Sequence, residues 1–174
     1  MDFSEVDKPG QYILQAGCTQ TRPFAIGPEV WRNSVIKTIN LFYCERCGDA
    51  IPGIHEVCHG DWQCAQGDRK IVINGGWHDA GDLSQGLVNT SEAVVSMFLL
   101  ASRVKVTDPE LAQRLIVEAK WGLDWILKCR FGDGVRCTWA TMDFWTDGVE
   151  GTVDDVTCRA GNSPLDNFMG ASAE

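Results

Sequence analysis

Two aspartates three positions apart, Asp79 and Asp82, lie in the run Gly75-Gly76-Trp77-His78-Asp79-Ala80-Gly81-Asp82. Neighbouring carboxylates can divide the activation of a water: one orients and polarises it, the other takes its proton as general base. Gly75, Gly76, Ala80 and Gly81 are small enough for a ligand or a second stretch of backbone to come close. A bare Asp-Ala-Gly-Asp also suits a surface turn, and the flanking Trp77 and His78 weigh against that use.

Cys47, Cys58, His59 and His78 offer two thiolates and two imidazoles, a closed donor set typical of structural zinc. Their spacings of 11, 1 and 19 are not those of a zinc finger, so buried thiols and ordinary histidines remain the alternative. His55 reads as a loop histidine. The other six cysteines, Cys18, Cys44, Cys64, Cys129, Cys137 and Cys158, show no ligand spacing. They could pair in an oxidising compartment, with a connectivity that sequence does not reveal. Trp77, Trp139 and Trp145 fall in expected loops, where an indole face suits the apolar face of a pyranose; capping a helix array is their other use. Trp31, Trp121 and Trp125 recur at helical spacing and are expected in the core. Asp143, Asp147, Asp154 and Asp155 could ligate calcium, although a solvated acidic loop is the favoured reading.

These groups need elements to position them. Residues 1–27 carry two short β-prone runs, Tyr12-Ile13-Leu14 and Phe24-Ala25-Ile26, broken by Gly10, Gly17, Pro23 and Gly27. Two strands are not stable alone, so they read as the last strands of a β-sandwich that starts upstream. Pro28 suits the first position of a helix, and Trp31, Val35, Ile39 and Phe42 give it a buried face, with Gly48 as the stop. A second helix is expected near Asn89, with Glu92 completing a capping box and Val94, Met97, Phe98 and Ala101 buried. Thr107-Asp108-Pro109-Glu110 opens a third, which runs to about Cys129 on a wide apolar face that includes Leu111, Leu115, Ala119, Gly122 and Ile126. Residues 130–162 read as a long Gly/Asp-rich connection, of the kind that is usually functional. A fourth helix begins near Ser163-Pro164. The expectation is a chain cut at both ends.

Composition narrows the function classes. A hydrophobic content of 44% with seven Trp describes a core-forming chain. The formal net charge of −9 opposes nucleic-acid binding, which needs a basic surface to displace phosphate counterions, and it suits a neutral substrate. No apolar run approaches the roughly 20 residues of a membrane span, and Met1-Asp2-Phe3-Ser4-Glu5 is not the start of a signal peptide.

In the wider context, the chain resembles glycoside hydrolase family 9, the cellulases and related β-glucanases. The matching pieces, in the family's order, are Phe42 to Gly48, Pro52-Gly53-Ile54-His55, Cys58-His59, Gly75 to Asp82, Val88-Asn89-Thr90-Ser91, and Lys120 to Leu127. The resemblance covers about residues 12–174. It implies a mainly α fold: residues 28–174 as the N-terminal part of an (α/α)6 barrel, preceded by an immunoglobulin-like domain ending within 1–27. It makes Asp82 the general base and Asp79 its assistant on the same water, in an inverting cleavage of β-1,4-glucosidic bonds of cellulose or a related β-glucan. The general acid is a Glu late in the barrel, and neither Glu150 nor Glu174 corresponds to it; the fragment alone is therefore expected to be inactive. Some members hold a zinc with such Cys and His ligands, which here would pin His78, and with it Asp79, to the end of the first helix. A secreted or periplasmic parent is implied. The run Leu83-Ser84-Gln85-Gly86 departs from the family's Tyr-Gly-Lys-Tyr-like stretch and leaves the preferred glucan open. The rival class is a noncatalytic, zinc-stabilised carbohydrate-binding protein that keeps the groove and lacks the acid.

Overall fold

The computed structural model describes residues 2–60, 62–81, 83–142 and 156–174. Asp82, Trp145 and the acids Asp143, Asp147, Asp154 and Asp155 lie outside the described residues. The chain divides into two units, Met1–Asn40 and Leu41–Glu174.

The first unit is built on one antiparallel ribbon. Strand β1 (Gly10–Tyr12) pairs with β4 (Phe24–Ile26), and β2 (Gln15–Ala16) with β3 (Thr19–Gln20). Gly17 turns the ribbon at a φ of +62°, a conformation glycine adopts without a steric penalty. Phe24 anchors it, with its ring 5.9 Å from Phe3 and 6.4 Å from Tyr12. The helix expected from Pro28 begins later, as α1 (Arg32–Cys44). Before it the backbone closes three-residue turns, Val30 N–H to Gly27 O and Arg32 N–H to Glu29 O. Trp31 therefore falls outside the helix and is 73% exposed, not in the core, whereas Ile39 is buried.

In the second unit, α2 (Leu87–Val104) packs against α3 (Pro109–Lys128) and α4 (Pro164–Ala173). The chain enters α2 straight from strand β7 (Gln85–Gly86), so Gly86 is the N-cap, no side chain caps the helix, and the expected Glu92 box is absent. By length and composition α2 could cross a membrane, with a mean hydropathy of 1.2. Its buried Leu87, Val94, Met97 and Ala101 and its packing on two helices fit a core helix better. Asp108 caps α3 by accepting from Leu111 N–H at 3.0 Å, with Pro109 in the first turn. Leu111, Leu115, Ala119, Gly122 and Ile126 are all buried. Ser163 caps α4, and Glu174 beyond it pairs with Arg130 and Arg136.

The stretch 130–162 is not a structureless connection. It contains β8 (Arg130–Gly132), β9 (Val135–Met142) and β10 (Val156–Gly161), with β9 between β10 and β7 and also paired to β8. Arg136, Cys137, Ala140 and Thr141 are buried in adjacent pairs, so β9 lacks the alternation by which a half-buried strand is recognised. A separate hairpin joins β5 (Gln63–Gln66) to β6 (Arg69–Val72).

One glycine is demanded by packing. A Cβ on Gly122 would lie 2.3 Å from two carbons of the Trp77 ring and 2.8 Å from Val94. Gly122→Ala is expected to destabilise the chain by about 1–3 kcal/mol through overpacking, although Ala is favoured over Gly by about 1 kcal/mol in a helix interior. Urea denaturation of both proteins checks this; a higher midpoint for the alanine variant would show that the indole is not wedged there.

Candidate functional site

Residues 73–79 cross the face of α3 as an irregular segment, and its carbonyls find side-chain donors. Trp125 Nε1 donates to Ile73 O at 2.7 Å, Lys128 Nζ to Asn74 O at 3.0 Å, Gln85 Nε2 to Gly75 O at 2.8 Å and Trp121 Nε1 to Gly76 O at 2.7 Å. Gly75 and Gly76 have φ of +107° and +69°, and a Cβ on Gly76 would lie 2.8 Å from the Trp125 ring. Trp77 is buried and donates from Nε1 to Glu118 Oε1 at 2.8 Å. Glu118, itself buried, accepts from Arg46 at 3.1 and 2.9 Å, a bidentate pair that compensates a carboxylate taken out of water.

Asp79 follows on a tight loop. Its N–H donates to Ser84 O at 2.9 Å, and Leu83 N–H closes on Ala80 O at 3.0 Å. One carboxylate oxygen accepts from the Ser84 hydroxyl, the other from Asn89 Nδ2 at 3.1 Å. Asp79 thus lies between its own loop and the first turn of α2. It lines a cavity of about 650 Å³, together with Phe42, Glu45, Trp77, His78, Leu83, Asn89 and Thr90, a size suited to a small ligand or part of a polymer.

The four expected metal ligands converge. Segments 45–47 and 76–78 pair through Cys47 N–H to Gly76 O and His78 N–H to Glu45 O, while Cys58 and His59 arrive from the loop after Gly48. The donor atoms of Cys47, Cys58, His59 and His78 all lie within 4.8 Å of one another. His59 Nδ1 is 3.5 Å from Cys47 Sγ and 3.1 Å from His78 Nε2, which is 3.8 Å from Cys58 Sγ. A tetrahedral ion with bonds of about 2.0–2.3 Å would set its ligands about 3.3–3.8 Å apart, so the set fits zinc. His59 Nε2 has no partner among the described residues; the ring is turned so that Nδ1 faces the cluster. Within the thiol pair, the hydrogen bond from Cys47 lowers the Cys58 pKa, helped by His59, His78 and Gly48 N–H, and the same bond raises that of Cys47. His55 stays outside the set, its ring nitrogens 2.7 Å from Glu56 O and 3.1 Å from Cys44 O.

Of the indoles expected to meet sugar, Trp77 lines the cavity but is only 4% exposed. Trp139 is half-buried and carries the Arg159 guanidinium over its ring at 4.8 Å. Trp125 is core, and Trp121 lies partly buried beneath Arg46. Sequence reasoning did not single out Glu118, Glu45, Ser84 or the Asn89 side chain as part of the site. Glu45, Ser84 and Asn89 each stood in a quoted run but were given no role in the site, and Glu118 stood in none.

The family model for glycosyl hydrolase family 9 matches residues 31–154. The chain is 32% identical over 158 residues to endoglucanase D of Acetivibrio thermocellus, covering 76% of this chain and 25% of that one. It is 30% identical over 190 residues to a xyloglucan-specific endo-β-1,4-glucanase of Bacteroides ovatus, covering 91% and 31%. A metagenome-derived family 9 endoglucanase of known structure shares the fold, with a TM-score of 0.59 and 22% identity over 99% of this chain and 40% of that one. The chain thus spans about a quarter to a third of the length of these curated relatives. Its match to the family model and to relatives over most of its own length places this chain in glycosyl hydrolase family 9.

Proposed function

We propose that this chain supplies the water-activating side of an inverting glycoside hydrolase that cleaves β-1,4-glucosidic bonds in cellulose or a related β-glucan. The observation that carries the proposal is Asp79, held by Ser84 and Asn89 on the wall of a cavity, in a loop that also contains Asp82. Each Asp79 oxygen accepts one protein hydrogen bond and keeps a lone pair for a water. In this reading Asp79 orients the water and Asp82 takes its proton as the water attacks the anomeric carbon. Inversion requires a general acid roughly 6.5–9.5 Å from the base. That Glu matches no residue in these 174, so the acid belongs to a late helix of the (α/α)6 barrel that residues 28–174 begin. Residues 1–27 end an immunoglobulin-like domain. A polysaccharide cannot enter a cell, so the enzyme works in the periplasm or outside.

Cys47, Cys58, His59 and His78 would hold a structural zinc. The ion supplies no chemistry to the sugar. Its ligands tie His78, the residue before Asp79, to the chain leaving α1 and fix the carboxylate's approach to the cavity. Purified protein is expected to contain about one equivalent of zinc and to lose it in Cys58→Ser, with a lowered melting temperature, by metal analysis and calorimetry. Full retention of metal in that variant would remove Cys58 from the site.

With the rest of the barrel present, Asp82→Asn is expected to lower kcat by about 10²–10⁴-fold and to leave cello-oligosaccharide affinity nearly unchanged, because the amide keeps the shape but cannot accept the proton. Asp79→Asn should cost less, since solvent can partly orient the water. Steady-state kinetics and calorimetric titration on one oligosaccharide measure both. Wild-type kcat in Asp82→Asn would take Asp82 out of the mechanism and favour a carbohydrate-binding protein instead. The 174-residue chain assayed alone on a soluble β-glucan is expected to show no turnover.

A further inference from the structure

A second group of cysteines lies by the C-terminal end of α3, with no part in the site described above. Cys129 caps α3, Cys137 lies in β9, Cys64 in β5 and Cys158 in β10, and the first three are fully buried. Their thiols influence one another in sequence, Cys129 with Cys137, Cys137 with Cys64 and Cys64 with Cys158, while Cys137 also feels Cys158 at longer range. A line of four has one arrangement in which every member is paired with a neighbour. We propose that Cys129–Cys137 and Cys64–Cys158 form two disulfides in the mature protein.

The backbone supports both links. Cys137 N–H donates to Cys129 O at 2.7 Å, directly beyond the paired residues Arg130 and Arg136. Hydrogen-bonded antiparallel partners have Cα atoms about 5.5 Å apart, inside the range of about 4.4–6.8 Å that a disulfide spans. Strands β5 and β10 pack together without pairing, and Ala65 N–H reaches the Cys158 sulfur beside Cys64. The competing link, Cys64–Cys137, would strand Cys129 and Cys158. A tetrathiolate metal site is disfavoured by shape. Among the described residues, the set of donors found mutually within 4.8 Å is Cys47, Cys58, His59 and His78, and these four sulfurs are not found as such a set.

Forming the links from thiols needs an oxidant, here a small-molecule disulfide such as glutathione disulfide. A protein thiolate attacks one of its sulfurs and releases one glutathione thiolate. The second protein thiolate then displaces the other glutathione, so two thiols become one disulfide and the oxidant becomes two thiols. Cys158 is the entry point in the folded chain. It is the one member not fully buried, and burial pushes its pKa up only to about 11, whereas Cys64 and Cys137 are raised further.

The chain is to be refolded with zinc in a reduced/oxidised glutathione buffer, denatured, alkylated with N-ethylmaleimide and mapped by mass spectrometry without reduction. Trypsin alone leaves Cys137 and Cys158 on one peptide, so an Asp/Glu-specific protease is added. The expected result is a protein lighter by four hydrogens, with Cys129 linked to Cys137 and Cys64 to Cys158, and a melting temperature that falls on reduction. A Cys64–Cys137 link, or Cys64, Cys129, Cys137 and Cys158 all found alkylated after oxidative refolding, would overturn the proposal. So would two equivalents of zinc that fall to one in Cys64→Ser. If refolding gives no soluble protein, the same map is made on chain secreted to a bacterial periplasm, with the same outcomes deciding.

Discussion

Four consecutive backbone carbonyls, Ile73 to Gly76, belong to no helix or strand and run against one face of α3. A buried carbonyl without a donor costs about 1–3 kcal/mol; Cys47 N–H reaches Gly76 O, and the rest of the segment depends on side chains for its N–H groups. Trp121, Trp125 and Lys128 stand at spacings of four and three on α3, one face of the helix, and Gln85 supplies the remaining donor. This requirement explains why indoles occupy α3. Their polar tips hold the loop, and their rings are covered by it.

From that anchor the site is assembled in one direction. Gly76 and Trp77 are fixed to α3, the latter through Glu118 and the close approach at Gly122. His78 enters the thiol–imidazole cluster, and Asp79 emerges toward α2, where Asn89 receives it. Three successive residues of one strand-like segment thus face three different elements. Glu118 is the hinge of the arrangement: removing it would leave Arg46 and the Trp77 N–H without their shared acceptor in a buried site, a larger penalty than the gain from forming the pair.

The helices were legible where periodicity and caps agreed, as at Asp108-Pro109 and Ser163-Pro164. They were misplaced where only a proline marked the start, as at Pro28, because proline permits a first turn without requiring one. The β layer in 130–161 was not legible, since β9 is buried on both faces and its alternation is lost. The donor types of the metal cluster could be read, but their spacings could not justify them, because loops and not a helix or hairpin bring them together. Glu118 was invisible for a related reason. A lone carboxylate in an amphipathic helix reads as a solvated position, and only the arrival of Arg46 and Trp77 from distant loops makes it buried.

The eight cysteines illustrate how shape, more than residue type, decides chemistry. Cys47 and Cys58 face two imidazoles in a compact set whose edges match the coordination sphere of one small ion. A metal there would satisfy the thiolates together with the two imidazole nitrogens, which lie 3.1 Å apart. Cys64, Cys129, Cys137 and Cys158 have one another and backbone groups for neighbours, and they do not form a comparable set among the described residues. Their burial removes the solvation a thiolate needs, which leaves covalent pairing as the chemistry the arrangement favours. Metal would secure the loop that carries the aspartates, and sulfur–sulfur bonds would secure the sheet from which α2 and its Asn89 begin, so both would fix the frame on which the Asp79 carboxylate is held.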